Sequence, residues 1–250
     1  MKLVRFRKDN SCSYGLLEDE KVKVIYGDIF KDYQVTNCYY GITEIEVLTP
    51  CLPSKIVCIG LNYKAHAKET NMALPKEPLI FLKPTTAALA HKGSIIKPVM
   101  SDRVDYEAEL GLVIGKPAKE IEPEAAYSYI LGATCFNDVT ARDLQNKDGQ
   151  WTRAKSFDTF APFGPCIATG LNYDNLSIEL LLNGKIKQKS NTSDFIFNAG
   201  QIVSFISHVM QLNPGDVIAT GTPSGIGALN SGDIVQVKIE GVGVLENYML

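Results

Sequence analysis

The sequence predicts a mostly β protein with a few short helices, an α+β fold in which a small N-terminal β domain precedes a larger β-rich domain. Three observations support this. Apolar and polar side chains alternate over much of the first fifty residues. The C-terminal part is rich in strand-forming residues and is punctuated by glycine. The segments with helical periodicity between these regions are short. We predict domains at residues 1–52 and 53–250.

Strands separated by turns account for the N-terminal domain. The segment KLVRFR (2–7) alternates loosely, and YGLLEDEKVKVIYGD (14–28) has the form of a strand, an acidic turn and a second strand. A third alternating run, ITEIEVLTP (42–50), ends at a proline. The following CLPSK (51–55) has the composition of a connector, and it sets the predicted boundary.

The larger domain begins with a compact apolar run, KIVCIGL (55–61), and a short helical segment, NYKAHAKET (62–70), whose first residue, Asn62, is a suitable cap. PLIFLKP (78–84) is a predicted strand, and VDYEAELGLVIGK (104–116) is predicted as one long strand. The stretch 124–145 is predicted to contain a helix, a strand, a turn and a helix.

The second half of this domain contains clearer turn and helix-stop signals. Asn183-Gly184, between two alternating arms, predicts a tight β-hairpin. Residues 198–212 have the periodicity of an amphipathic helix, which we expect to stop at Asn213-Pro214-Gly215. The tail from residue 216 is predicted to be mostly strand.

Composition excludes several classes of protein. The net charge of −3 and a pI near 5.7 argue against nucleic-acid binding, which usually requires a basic surface. The six cysteines form no CxxC pair, and no histidine lies at zinc-finger spacing, so we expect reduced thiols in a cytoplasmic protein. The N-terminus lacks the apolar core of a secretory signal, and no segment approaches the roughly 20 apolar residues of a membrane span.

Carboxylates in the predicted strand 104–116 point to a metal site. Alternation along a strand places Glu107 and Glu109 on one side, about 6.5 to 7 Å apart at the backbone. A third acid, Asp138, follows an apolar strand. Three carboxylates form an all-oxygen site that suits Mg²⁺, Mn²⁺ or Ca²⁺ and not zinc. The alternative is that both glutamates lie on the solvated face of an antiparallel sheet.

Several characteristic blocks follow one another along this sequence. They are GLNYKAH (60–66), IFLKP (80–84), DYEAEL (105–110), NDVTARDLQ (137–145), AKSFD (154–158) and GDVIATGTPSG (215–225). In this order the blocks resemble the fumarylacetoacetate hydrolase family, a group of metal-dependent enzymes that cleave, isomerise or decarboxylate 2,4-dioxo and related acids. The resemblance covers nearly the whole chain after residue 52.

This resemblance implies a β-roll catalytic domain, a homodimer, and a Mg²⁺ or Mn²⁺ ion held by Glu107, Glu109 and Asp138. It also implies a small oxo-acid substrate that binds the metal through its 2-oxo and carboxylate oxygens. Position 61 departs from the pattern, because it carries Leu where some acylpyruvate-cleaving members carry a basic residue.

His66 and Glu69 are the predicted catalytic acid–base pair. They lie three residues apart in a predicted helix, so their side chains are neighbours, and an acid beside an imidazole fixes its tautomer and raises its basicity. In hydrolytic family members, an equivalent pair activates water. The alternative is an exposed helical pair without function. His91 and His208 have no acid at helical spacing and are predicted to be structural.

Lys155 is the third predicted catalytic residue, because a fixed ammonium stabilises the negative charge of an enolate oxygen. The predicted substrate-binding residues are Asn62, Tyr63, Lys83, Gln145 and Thr222. For Lys83 and Gln145, ordinary surface or helix positions are the alternative. The loop around Thr222 lacks the Gly-Lys-Ser/Thr ending of a phosphate loop and the third glycine of a dinucleotide fingerprint, which argues against nucleotide binding.

With the substrate class that the family resemblance implies, these features predict hydrolytic carbon–carbon cleavage of an acylpyruvate-type 2,4-dioxo acid. His66 would activate the water, and Lys155 would stabilise the pyruvate enolate that leaves. The alternatives at the same site are isomerisation of a hydroxydienedioate-type acid and decarboxylation of oxaloacetate. A binding protein with a vestigial site is a remote alternative, because the acids and the histidine–glutamate pair are intact.

Overall fold

A computed structural model describes residues 1–69, 71 and 73–250. These residues form twenty β-strands in three sheets. The strands are β1 (Lys2–Lys8), β2 (Ser11–Glu18), β3 (Lys21–Gly27), β4 (Tyr33–Gly41), β5 (Glu46–Val47), β6 (Ile56–Gly60), β7 (Leu79–Lys83), β8 (Ala88–Leu89), β9 (Ser94–Ile95), β10 (Val104–Tyr106), β11 (Ala108–Ile114), β12 (Ile130–Asn137), β13 (Thr140–Ala141), β14 (Ala161–Ala168), β15 (Ser177–Leu182), β16 (Lys185–Asn191), β17 (Val217–Ala219), β18 (Gly227–Ala228), β19 (Ile234–Ile239) and β20 (Gly243–Met249).

Helices are short, as the sequence predicts. The α-helices among the described residues are α1 (Lys64–Glu69), α2 (Pro123–Ala126), α3 (Arg142–Asp148), α4 (Thr152–Lys155) and α5 (Ala199–Val209). Residue 70, the last of the predicted helical segment 62–70, lies outside the described residues. None of these helices combines the length and apolar character that a membrane crossing requires.

The N-terminal strands form an antiparallel meander that continues the main sheet. Strands β1 to β4 pair in sequence order, and β1 also pairs with β14 through Lys2↔Ala168 and Leu3↔Ile167. The strands predicted from segments 2–7 and 14–28 are therefore present. The predicted run 42–50 is wrong in part, because Ile42–Glu44 form a 3-10 helix and only Glu46–Val47 is a strand, and β4 was not predicted. The division into two domains at residue 52 stays a prediction, because the sheet runs through both parts.

The main sheet has twelve strands in the order β4-β3-β2-β1-β14-β12-β11-β17-β6-β7, with β5 beside β1 and β8 beside β14. Its central strand β11 is buried on both faces. Leu110 and Leu112 belong to one core cluster together with Ile178 and Val237 of the five-stranded sheet β16-β15-β19-β20-β9. Val113 belongs to the cluster on the other face. The two-residue alternation predicted for this strand is confirmed.

The predicted single strand 104–116 is wrong in one respect, because it consists of two strands that break at Glu107. β10 leaves the main sheet and pairs with β13 and β18 in a small third sheet. Side chains replace the missing ladder bonds: Asn137 Oδ1 accepts from the Glu107 N–H at 2.9 Å, and Gln188 Oε1 accepts from the Ala108 N–H at 2.9 Å. The break occurs where the acidic residues lie.

The hairpin and the amphipathic helix follow the predicted chemistry. Asn183 and Gly184 join β15 to β16 with φ values of 50° and 75°, the left-handed conformation that a two-residue hairpin of this type requires. Asn198 caps α5 by accepting from the Gln201 N–H, and the Gln201 side chain accepts from the Asn198 N–H in return. The helix ends at Val209, earlier than the predicted stop at Asn213-Pro214-Gly215.

Asp216 anchors the connector between the N-terminal strands and the rest of the chain. Its side chain is fully buried just before β17. The carboxylate accepts from the backbone N–H groups of Ser54, Lys55 and Asn213 at 3.0, 3.1 and 2.8 Å. It also accepts from the Ser54 hydroxyl at 2.6 Å and pairs with the Lys55 ammonium. One buried charge thus satisfies donors from two distant segments.

We predict that Asp216→Ala lowers the free energy of unfolding by about 3–5 kcal/mol, because it removes the carboxylate that pairs with Lys55 and that accepts from three backbone donors. Urea denaturation followed by circular dichroism measures this change. The control is Asp32→Ala at an exposed position, which should stay within about 0.5 kcal/mol of the wild type. A loss below 1 kcal/mol for Asp216→Ala would contradict the anchoring role.

Candidate active site

A cavity of about 460 Å³ opens where the break in the acidic strand meets α1, α3 and the glycine-rich loop after β17. It combines charged, polar and apolar walls. Its lining comprises Ile59, Gly60, Leu61, His66, Phe81, Glu107, Glu109, Asp138, Arg142, Gln145, Asn146, Trp151, Lys155, Thr222 and Ile226.

Glu107, Glu109 and Asp138 form the acidic side of this cavity. Each offers one carboxylate oxygen, and these oxygens lie within 4.8 Å of one another. The three residues are only 5%, 2% and 1% exposed. The Asp138 N–H donates to the Glu107 carbonyl at 2.8 Å, which brings the end of β12 against the strand break. The structure therefore gathers the three acids that were predicted as metal ligands.

Three cationic side chains surround these acids. Lys155 Nζ donates to Glu107 at 2.8 Å and to Asp138 at 2.6 Å, so its ammonium lies between two of the carboxylates. Arg142 bonds Glu107 from the other side. Lys83 bonds Asp138 and the Val139 carbonyl, the latter at 3.0 Å.

Lys83 is therefore not placed as predicted. Its side chain is buried and is absent from the cavity lining, because its ammonium is directed at Asp138 and not at the space a substrate would occupy. Lys155, in contrast, is both on the lining and within hydrogen-bond distance of two acids.

The pKa values of Glu107 and Glu109 are shifted in opposite directions. Burial alone would raise the pKa of Glu107, but the positive charges of Lys155 and Arg142 outweigh it and hold that pKa well below its usual range. Burial raises the pKa of Glu109 well above its usual range, and the negative charges of Asp138 and Glu107 add to this effect. Burial would lower the pKa of Lys155, but the neighbouring Asp138 and Glu107 reverse the shift and raise it.

The predicted histidine–glutamate pair forms on α1 at the edge of the cavity. His66 Nδ1 lies 2.9 Å from Glu69 Oε2. The other oxygen of Glu69 accepts from the Gly225 N–H at 2.9 Å, so the carboxylate is held from two sides. His66 is on the cavity lining and Glu69 lies behind it. This geometry suits an imidazole whose tautomer is fixed by a carboxylate.

Asn62 and Tyr63 lie outside the cavity lining, although both were predicted to bind substrate. The Asn62 amide donates to the carbonyls of Phe197 and Thr220 at 3.1 and 2.8 Å and accepts from the Phe197 N–H at 2.8 Å. It is therefore occupied by backbone groups, which also explains why it does not cap α1. The Tyr63 ring is buried edge-on against Phe195, with centroids 4.9 Å apart.

Gln145 and Thr222 are on the lining, as expected for residues that contact a substrate. Gln145 Oε1 accepts from Arg142, and Thr222 Oγ1 accepts from Gln188 Nε2 at 2.8 Å. Both side chains are thus oriented by neighbouring protein groups.

Sequence reasoning missed the apolar wall and Arg142. Trp151 and Phe81 meet edge to face with centroids 5.2 Å apart, and the Trp151 ring lies against Gly60, where an added Cβ would come within 2.6 Å of it. Leu61 adjoins them with a φ of 54°, unusual for a leucine. Trp151 lies outside any periodic segment, so no sequence signal pointed to it. Arg142 could have been found, because it follows Asp138 by four residues within the block 137–145.

Comparison with known proteins bears on what this cavity does. A family model described as "Fumarylacetoacetate (FAA) hydrolase C-terminal" matches residues 55–249, and one described as "Rv2993c-like, N-terminal" matches residues 1–50. The chain belongs to the fumarylacetoacetate hydrolase family. The resemblance found in the sequence and the predicted α+β fold of this family are both confirmed.

Relatives of this fumarylacetoacetate hydrolase family protein include an uncharacterised protein of Archaeoglobus fulgidus, 55% identical over 88% of this chain and 86% of its own length. The mitochondrial oxaloacetate tautomerase Fahd2a of Rattus norvegicus is 40% identical over 82% of this chain and 69% of its own length. Among solved structures, a 2-hydroxyhepta-2,4-diene-1,7-dioate isomerase from Mycobacterium marinum is 39% identical. It has a TM-score of 0.94 and covers 100% of this chain and 98% of its own.

The acid cluster of this family member fits a small divalent cation. All its ligand atoms are carboxylate oxygens, which Mg²⁺ and Mn²⁺ prefer. Among the described residues, Glu109 is the acid of this cluster that makes no ion pair, and burial together with the negative charges of Asp138 and Glu107 raises its pKa. A divalent cation held by Glu107, Glu109 and Asp138 would supply the missing charge.

We predict that Mn²⁺ binding strengthens as pH rises, because protonated Glu109 must lose its proton before its carboxylate can act as a ligand. Below the pKa of Glu109, the affinity should rise by up to about tenfold per pH unit, and binding should release up to about one proton. Calorimetry in buffers with different ionisation enthalpies measures both quantities.

Glu109→Gln is the control for this experiment, because its amide has no proton to release. It should bind Mn²⁺ more weakly and should lose the proton release attributed to Glu109. If the wild type showed the same affinity at mildly acidic and mildly basic pH, Glu109 would not be a protonated ligand in the metal-free protein.

Proposed function

We propose that this protein is a divalent-cation-dependent enzyme that interconverts the enol and keto forms of small 2-oxo acids. One observation carries the proposal: the buried acid cluster of Glu107, Glu109 and Asp138 borders the same cavity as His66, whose Nδ1 is paired with Glu69. Tautomerisation needs a site that stabilises negative charge on an oxygen and a group that moves a proton at the neighbouring carbon.

The relatives with named activities support proton transfer as the reaction. The rat relative is named an oxaloacetate tautomerase, and the Mycobacterium marinum structure is named an isomerase. Both names describe the movement of protons and double bonds within an intact carbon skeleton.

The acids of the cluster would hold Mg²⁺ or Mn²⁺. When bound, the cation supplies Lewis-acid polarisation of the 2-oxo group. Lys155 lies beside this cluster on the cavity wall, where its ammonium stabilises negative charge that develops on the substrate oxygen.

His66 is the proton-transfer group of the proposal. Glu69 accepts a hydrogen bond from the Nδ1–H of His66, so we assign proton exchange with the substrate carbon to Nε2. In the enol-to-keto direction, carbon 3 gains a proton from the imidazolium and the enol oxygen loses its proton to water. Gln145 and Thr222 border the same space and orient the substrate's polar end.

Hydrolytic cleavage of acylpyruvates, predicted from the sequence, is the second candidate. The apolar wall of Leu61, Phe81 and Trp151 favours it, because an acyl chain would bury its apolar surface there. His66 would then activate a water that attacks the distal carbonyl. Oxaloacetate decarboxylation is the third candidate, since it requires the cation but not the histidine.

We also propose a cytoplasmic homodimer. The family resemblance supports the dimer. The cysteines, all of which are free in the structure, support a reducing compartment.

We predict that His66→Ala lowers kcat/KM for oxaloacetate tautomerisation by about 10²–10⁴-fold, the usual contribution of a positioned acid–base group. Loss of the enol absorbance in the presence of Mg²⁺ or Mn²⁺ measures the rate, and removal of the metal with a chelator should abolish it. The control is His208→Ala, because His208 is exposed on α5 and bonds the Ser204 carbonyl away from the cavity.

Pyruvate release from acylpyruvates and from oxaloacetate, measured on the same variants, separates the candidates. His66→Ala should abolish hydrolysis and largely spare decarboxylation, because of these two pyruvate-releasing reactions only hydrolysis needs the histidine as a base. Full tautomerase activity in His66→Ala would remove the proposed role of the histidine. A wild-type protein without metal-dependent activity on any of these acids would remove the function itself.

A further inference from the structure

Gln188 is a buried polar residue that the proposed mechanism does not use. It lies on β16, outside the cavity lining, and its side chain is 1% exposed. Its amide makes three hydrogen bonds to two other parts of the chain. Oε1 accepts from the Ala108 N–H at 2.9 Å, and Nε2 donates to Thr222 Oγ1 and to the Pro223 carbonyl, both at 2.8 Å.

The first of these contacts reaches the acid cluster. Ala108 lies between Glu107 and Glu109 and is the first residue of β11, next to the strand break. Its N–H donates to the Gln188 side chain instead of to a neighbouring strand. Because the side chain of Gln188 holds this N–H, it sets the local backbone path that directs both carboxylates towards Asp138.

The other two contacts reach the loop from Thr220 to Gly225. This loop touches both halves of the site: the Gly221 N–H donates to Glu109 Oε2 at 2.8 Å, and the Gly225 N–H donates to Glu69 Oε1 at 2.9 Å. A shift of the loop would therefore move an acid ligand and the partner of His66 together.

The loop also packs directly on the backbone of β16. At Gly225, where φ is 98°, an added Cβ would lie 2.3 Å from the Lys187 carbonyl oxygen and 3.3 Å from Gln188 Cγ. The position of Gly225, and with it the bond to Glu69, is thus set by the strand that carries Gln188.

We propose that Gln188 is a positioning residue that keeps the acid cluster and the His66–Glu69 pair in a fixed relative geometry. It does so by linking the strand break at Ala108 to the Thr220–Gly225 loop. This inference rests on the proposed function for its catalytic consequence, and its effect on metal binding is independent of the reaction catalysed. A purely structural role for Gln188 would change stability alone.

The test compares Gln188→Met, which keeps the side-chain length and removes all three hydrogen bonds, with Gln236→Met. Gln236 lies on β19 in the same five-stranded sheet and bonds Glu246 instead of the site. Mn²⁺ affinity by calorimetry and kcat and KM for oxaloacetate are measured at a temperature where circular dichroism shows both variants folded.

We expect Gln188→Met to weaken Mn²⁺ binding by about tenfold and to lower kcat by about 10- to 100-fold, the effect of misplacing reacting groups by a fraction of an ångström to one ångström. Gln236→Met should change neither quantity by more than about twofold. If Gln188→Met does not fold, Gln188→Glu replaces it. Its ionised carboxylate can still accept from Ala108 but cannot donate to the loop, so kcat should fall by about tenfold or more.

Unchanged Mn²⁺ affinity and kcat in folded Gln188→Met, or unchanged kcat in Gln188→Glu, would overturn the positioning role. If the wild type turns over none of the acids but binds Mn²⁺, the proposed function fails, and the ratio of Mn²⁺ affinities still decides the role of Gln188. A wild-type protein that binds no Mn²⁺ would overturn both proposals.

Discussion

The close approach of three buried carboxylates is the constraint on which the rest of this structure depends. Glu107, Glu109 and Asp138 lie within 4.8 Å of one another at their oxygens, in a part of the protein that water scarcely reaches. Like charges at this distance are strongly destabilising unless cations compensate them. Lys155 and Arg142 compensate Glu107, and Lys155 also bonds Asp138. Glu109 has no cation within bonding distance among the described residues, and burial together with the negative charges of Asp138 and Glu107 raises its pKa.

The fold holds these repelling groups together by fixing their backbones. The acidic strand leaves the main sheet at Glu107, and side-chain amides from Asn137 and Gln188 take over the donors that the ladder would have satisfied. An N–H from Gly221 then fixes one oxygen of Glu109. Each of these bonds is internal to the protein, so the protein itself positions the acids. Such pre-organisation lowers the cost of assembling a site around a cation or a substrate.

Much of the site could be predicted from local pattern. The prediction that Glu107 and Glu109 lie on one side needed only strand periodicity, although Glu107 lies at the break between β10 and β11. The 66/69 spacing of the histidine and glutamate depends only on the helical repeat. Of the polar residues predicted to bind substrate, Gln145 and Thr222 line the cavity, whereas Asn62, Tyr63 and Lys83 do not. Asn62 and Lys83 bond partners that are remote in sequence. Asn62 donates to the Thr220 carbonyl, and Lys83 pairs with Asp138. No local pattern encodes which of several buried polar groups a long-range partner will occupy.

The sequence by itself determined the fold class, the hairpin at Asn183-Gly184, the alternating faces of β11 and the identity of the acids, because these follow from turn chemistry and from side-chain periodicity over a few residues. The tertiary structure alone decided that the acidic strand breaks, that Trp151 and Phe81 form an apolar wall, and that one loop touches both Glu109 and Glu69. Those features arise from contacts between segments up to about 160 residues apart, as in the bond between Gly225 and Glu69 (156 residues). They depend on how the three sheets pack, and sequence periodicity carries no information about that packing.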